Sequence, residues 1–137
     1  MVQNNWQILA SGWFESAKRA LEDGFLLEKT GGHSETICFQ CHQAVEKYLK
    51  GFIVFNGTDI KDDFMIHNLP RLLDYCVKFD ASLEELRVYC IALNKYYIES
   101  RYPPDAPKDY PKEEVRQALQ SAKEKEVKIS GIFESSV

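Results

Sequence analysis

The chain has 137 residues, of which 45% are hydrophobic and 28% are charged, and its formal net charge at pH 7 is −4. This length fits one domain that buries its own core, and the composition excludes a disordered protein. Because acidic residues outnumber basic ones, any polyanion site must be a local patch. The N-terminus lacks a signal peptide and no apolar run is long enough for a membrane span, which predicts a cytoplasmic protein.

Apolar residues at helical spacing predict two long helices in the first half of the chain. The first is predicted over residues 4–29 and ends at the Thr30-Gly31-Gly32 turn. The second is predicted to start with Ser34 as its cap and to end near residue 56.

Three further helices are predicted in the second half. Asn68 is a candidate N-cap for the third, and a capping box that starts at Ser82 opens the fourth. A proline-rich extended segment over 102–107 separates the fourth from a last helix, which runs from near Pro111 to about residue 130 and leaves a frayed tail over 131–137. No segment alternates as a strand would, so the sequence predicts an all-α, antiparallel up-and-down bundle of about five helices in one domain.

Residues Cys38–His42 spell the C-x-x-C-H pattern of covalent haem attachment. The apolar stripe of the second helix passes through Cys41, however, and Cys76 and Cys90 lie among apolar neighbours. The expectation is therefore four reduced, mostly buried cysteines, with no metal and no cofactor.

The polar residues of the second helix offer a first candidate site. Gln43, Glu46, Lys47 and Lys50 recur at spacings of three and four, beside His42, and are expected to face outward. One interpretation is a solvated face with a Glu46–Lys50 ion pair. The other is a site where the lysines meet phosphate while His42 and Gln43 bind a base or sugar.

A second cluster follows the fourth helix. Tyr97, Arg101 and Tyr102 combine a guanidinium with aromatic rings before a stiff segment, as a phosphate or base-stacking site would. The alternative is an Arg101–Asp105 salt bridge that pins the loop. His67 either caps its own helix or joins the polar site. No glycine-rich phosphate loop, metal-ligand set or nucleophile with a base partner is apparent.

Four motifs follow one another along the chain, namely Gln43–Lys50, Ile66–Leu69, Tyr97 and Arg101–Pro103. Together they resemble HEPN domains, the nucleotide-binding domains shared by higher eukaryotes and prokaryotes. The resemblance implies a five-helix bundle that dimerises and works beside a minimal nucleotidyltransferase in prokaryotic toxin–antitoxin or defence pairs. Many members of the family that the chain resembles are metal-independent ribonucleases. Their motif is an Arg, a short spacer and then a His.

That ribonuclease motif is absent, because the spacing after Arg101 reaches Ala106, Pro107 or Lys108. RNA cleavage by acid–base catalysis needs a group that titrates near neutral pH. The departure favours the nucleotidyltransferase-associated branch and a non-catalytic, dimeric module that binds a nucleotide or modulates a partner. The alternatives are a ribonuclease that pairs Arg101 with His67 or His42, and a purely structural interaction dimer. The candidate binding residues are His42, Gln43, Lys47, Lys50, His67, Tyr97, Arg101 and Tyr102.

Overall fold

The computed structural model describes residues 5–58, 60, 67–97 and 108–136, and within these ranges every regular element is helical. The α-helices are α1 (Asn5–Lys29), α2 (Ser34–Phe55), α3 (Leu69–Val77), α4 (Arg87–Leu93) and α5 (Lys112–Ser136). Two 3₁₀ helices, Ala81–Leu86 and Asn94–Tyr96, flank α4. The prediction of an all-α, five-helix fold is confirmed. The proline-rich segment over 102–107 lies outside the described residues.

Helix α2 is the centre of the fold. It packs along α1 for most of its length and also contacts α3, α4 and α5. Its hydrophobic residues form the largest share of one continuous core, which α1 and α5 close on the two sides. Beyond the first turn of α2, the residues that are not buried are Phe39, Gln40, Gln43, Lys47 and Phe55.

Helices α1 and α2 approach each other closely at Gly51. A Cβ atom at this position would lie 2.8 Å from Phe14 Cε1 and 3.0 Å from Trp13 Cβ. The missing side chain therefore lets α1 lie directly against α2. This contact brings the Trp13 ring to the side of α2 that carries the polar residues.

Two predicted helix starts differ in detail from the structure. His33 rather than Ser34 is the N-cap of α2, and the Ser34 hydroxyl accepts a hydrogen bond from the backbone N–H of Tyr110 instead. Asp80 rather than Ser82 caps the Ala81–Leu86 helix, because its carboxylate accepts hydrogen bonds from both the backbone and the hydroxyl of Ser82. The Asn68 cap is confirmed, since its side chain accepts from Arg71 N at 3.1 Å.

Helix α5 continues to Ser136, past the end predicted near residue 130. The Phe133 ring packs edge-on against Phe14 at 4.8 Å and against Phe55 at 5.1 Å between centroids. These contacts bury apolar surface and keep the last turns of α5 helical. None of the described helices is long and apolar enough to cross a membrane.

Candidate functional site

A buried carboxylate organises the polar residues of α2. Glu46 is 5% exposed, and its Oε2 atom accepts a hydrogen bond from Lys50 Nζ at 2.9 Å. His67 Nδ1 lies 3.2 Å from both carboxylate oxygens, and His42 Nδ1 lies 3.7 Å from Oε1. We call His42, Glu46, Lys50, His67 and Tyr97 the Glu46 cluster.

The expectation that this face of α2 points to solvent is wrong for Glu46 and Lys50, which are buried, and the neighbouring His42 is buried as well. The Trp13 ring of α1 lies 5.9 Å from Lys50 Nζ on one side. The predicted Glu46–Lys50 pair does form, and it lets both charges leave water, since each neutralises the other.

Hydrogen bonds at the start of α3 hold His67 in the Glu46 cluster. Asn68 caps α3, and the next N–H, of Leu69, donates to Asn94 Oδ1 at 2.9 Å. This bond ties the start of α3 to the 3₁₀ helix that precedes Tyr97. As a result the His67 ring stacks on Tyr97 with centroids 4.4 Å apart and planes inclined by 14°.

The hydrogen bonds of His42 define its neutral tautomer. His42 Nε2 lies 3.0 Å from the His67 carbonyl oxygen, and a carbonyl only accepts, so Nε2 carries the proton. Nδ1 of the neutral ring then carries no proton, and it is buried without a hydrogen-bond partner among the described residues. Burial lowers the pKa of His42, against the opposing pull of the Glu46 carboxylate. Glu46 already accepts hydrogen bonds from Lys50 and His67. The effect of burial on the pKa of His42 therefore outweighs the attraction of Glu46 for a proton on that ring.

This lowered pKa predicts acid sensitivity. Below its ordinary pKa of 6.5, His42 takes up a proton in the unfolded chain but not in the fold, so acid favours unfolding. We expect the free energy of unfolding to fall by about 1 kcal/mol between pH 7.5 and 5.5. The His42→Gln variant should not show this loss. Urea titrations at both pH values measure it. His33→Gln, which changes an exposed histidine, should keep the wild-type dependence, and equal slopes in the wild type and His42→Gln would contradict the assignment.

An open stripe on α2 borders the buried cluster, and it consists of Phe39, Gln43 and Lys47, which are all half-buried. Gln43 Oε1 is buried and accepts no hydrogen bond within the described part of the chain. Lys47 forms no ion pair with any residue that the structure describes. The stripe therefore carries a buried amide oxygen without a donor, and an ammonium without a counter-charge, among the described residues, and it lies beside the stacked rings of His67 and Tyr97.

Six of the eight predicted binding residues thus lie together on or beside α2. His42, Lys50, His67 and Tyr97 belong to the Glu46 cluster. Gln43 and Lys47 belong to the open stripe. Arg101 and Tyr102 lie outside the described residues. The role of Glu46 was not predicted beyond its pairing with Lys50. Its position four residues after His42 and four residues before Lys50 was a usable signal.

The cysteines lie in the core. All four are buried and unpaired with one another, as expected. Burial raises the pKa of Cys38 to about 11 and raises that of Cys41 as well, so neither thiol favours the thiolate form. Among the residues that the structure describes, no group of three His, Cys, Asp or Glu is placed to hold a metal ion.

A cavity of about 510 Å³ lies away from the Glu46 cluster and was not predicted. It lies where the α1–α2 turn meets the start of α5, and Gly31, Ser34, Tyr110, Lys112 and Arg116 are among its lining residues. The glycines of the turn and the basic residues of α5 are far apart in sequence, so only the folded chain brings them together.

Comparisons with known proteins agree with this architecture. TT1696 from Thermus thermophilus has a similar crystal structure, with a TM-score of 0.73 and 27% identity over 89% of this chain and 96% of that chain. The crystal structure of ST0689, an archaeal HEPN homologue, shares the fold at 22% identity, with a TM-score of 0.68 over 90% of this chain and 97% of that one. A search of curated proteins finds no match. The sequence model of the HEPN domain matches residues 10–125, most of the chain, which therefore belongs to the HEPN domain family.

Proposed function

We propose that this protein is a non-catalytic, homodimeric HEPN module that binds a nucleotide on the open stripe of α2 and modulates a minimal nucleotidyltransferase. The ligand phosphates pair with Lys47, and the base or sugar donates a hydrogen bond to Gln43. Arg101 and Tyr102, which follow Tyr97 in the sequence and lie outside the described residues, remain candidate contacts for the same ligand.

The observation that carries this proposal is that two polar groups of the open stripe, Gln43 Oε1 and the Lys47 ammonium, lack partners among the described residues. A buried acceptor without a donor costs about 1–3 kcal/mol, and Gln43 Oε1 is one. A ligand N–H or O–H removes that cost when the half-buried Gln43 side chain turns its Oε1 atom towards the open stripe. The adjacent Lys47 has no carboxylate to neutralise it among the described residues, so it is available for a phosphate.

The partner role is supported by the Arg101-Tyr102-Pro103 sequence, which resembles the nucleotidyltransferase-associated branch. Apolar side chains on α4 support an interface for a partner or a second copy, since Val88 is 72% exposed and Ile91 is 59% exposed.

Catalysis is disfavoured by the burial of His42, which removes one of the two histidines considered for a ribonuclease. His67 remains as the relevant imidazole, because it is 28% exposed in its side chain and Glu46 orients its ring. RNA cleavage that needs His67 and survives a chelator would replace the binding proposal with a ribonuclease.

Calorimetry tests the binding site directly. We expect ATP, GTP or a short RNA to release heat with the wild type, and Lys47→Ala to weaken binding about tenfold, because one charge-assisted phosphate contact is lost. Lys18→Ala, which removes an exposed lysine from the middle of α1, is the matched control and should bind as the wild type does.

Two results would contradict the proposal. The first is no heat with any of the three ligands at protein concentrations well above micromolar. The second is equal binding by the wild type and Lys47→Ala. Light scattering on the same samples reports the oligomeric state, and a monomer at every concentration would contradict the dimer.

A further inference from the structure

The chain has a second buried lysine with surroundings quite unlike those of Lys50. Lys125 on α5 is 1% exposed, and its Nζ atom lies 3.2 Å from the centroid of the Tyr89 ring on α4. The nearest carboxylate oxygen in the described residues, Glu124 Oε2, is 3.6 Å away and belongs to a half-exposed side chain. Lys50, in contrast, has a buried carboxylate at 2.9 Å.

This setting favours the neutral amine. Removal from water penalises the ammonium form, and burial therefore lowers the pKa of Lys125. The face of the Tyr89 ring and the Glu124 carboxylate oppose that shift, but Glu124 is screened by solvent. A lysine with a lowered pKa carries a larger fraction of neutral amine than an exposed lysine does, and the free electron pair of that amine makes it a nucleophile.

Lys125 also lines a cavity. An open pocket of about 210 Å³ lies between α4 and α5, and its walls are formed by Glu85, Leu86, Tyr89, Glu124, Lys125 and Lys128. Lys128 Nζ pairs with Glu85 Oε1 at 3.1 Å on the same pocket. With Lys125 as the neutral amine, the walls carry two carboxylates and one ammonium, so the pocket suits a small uncharged molecule better than an anion.

We propose that Lys125 is a covalent attachment site for small uncharged aldehydes, which form an imine with its amine in this pocket. The three features that make the site are a nucleophilic nitrogen, a cavity of matching size and a carboxylate beside the nitrogen that carries protons. This chemistry is independent of nucleotide binding on α2.

The reaction proceeds in two steps. The electron pair of neutral Lys125 Nζ attacks the carbonyl carbon, a C–N bond forms, and the C=O π electrons move to oxygen. Glu124 transfers one amine proton to that oxygen, which gives a carbinolamine. The C–O bond then breaks, and the hydroxyl leaves as water with the second amine proton. The products are one imine and one water.

Reductive labelling of the wild-type protein tests the site without any variant. The protein is treated briefly with acetaldehyde and cyanoborohydride at pH 7, which converts an imine to an ethylated lysine, and peptides are mapped by mass spectrometry. We expect Lys125 to be labelled several-fold faster than Lys123, an exposed lysine two residues away on the same helix, since a lowered pKa enlarges the fraction of neutral, reactive amine. The preference should shrink at pH 10 and vanish in urea.

A structural role predicts the opposite order. A lysine that only packs between α4 and α5 is shielded from reagents and would be labelled last in the folded protein. Labelling of Lys125 at or below the rate of Lys123 at pH 7 would therefore overturn the proposal.

Discussion

Replacing Glu46 with Ala is expected to lower the free energy of unfolding by about 3–5 kcal/mol. The substitution leaves the Lys50 ammonium, which is 6% exposed, without its counter-charge. It also removes the acceptor of His67 Nδ1 and so frees the ring that stacks on Tyr97. Urea denaturation followed by circular dichroism measures the loss.

Two controls separate the buried charge from the loss of a side chain. Glu15→Ala removes one partner of an exposed pair with Arg19, at 3.3 Å, and should cost less than about 1 kcal/mol. The double variant Glu46→Leu/Lys50→Met removes both charges and should recover most of the stability. If Glu46→Ala costs no more than Glu15→Ala, the pair is not buried in solution.

Gly51→Ala is expected to destabilise the protein by about 1–2 kcal/mol. The added methyl group would meet Phe14 and Trp13, and the Phe14 ring cannot retreat freely, because Phe133 packs against it at 4.8 Å. Overpacking of this kind costs about 1–3 kcal/mol, against which the better helix propensity of Ala returns less than about 1 kcal/mol. Thermal and urea unfolding both report the difference.

Gly12→Ala is the matched substitution in the neighbouring helix. Nothing lies within 4 Å of a Cβ atom at that position, so only the propensity gain remains, and the variant should be more stable than the wild type by about 0.5–1 kcal/mol. Opposite signs for the two substitutions are the expected result. Stabilisation by Gly51→Ala would show that α1 and α2 lie further apart than described here.

The helices could be predicted from sequence because helical periodicity and its end signals are local. The Thr30–Gly32 turn and the Asn68 cap lie where they were expected, since each depends on residues within one turn. The end of α5 could not be found in the same way. A glycine such as Gly131 favours the end of a helix. Helix α5 continues beyond it because Phe133 packs against the distant rings of Phe14 and Phe55.

The polar residues that share one face of α2 could be predicted from the sequence, but their environment could not. Sequence spacing places Gln43, Glu46 and Lys50 on one face of a helix, and that grouping is correct. Whether such a face meets water depends on what lies over it, which here is Trp13 from α1 and His67 from the segment before α3. Those contacts join residues more than twenty positions apart, so periodicity carries no information about them.

The central position of α2 has a consequence for how this protein tolerates sequence change. Substitutions on most sides of α2 alter the packing of another helix, so the core restricts them strongly. The open stripe of Phe39, Gln43 and Lys47 is the exception, because these side chains reach the surface without supporting a neighbour's core. Ligand preference can therefore diverge at these few positions while the bundle around them stays the same.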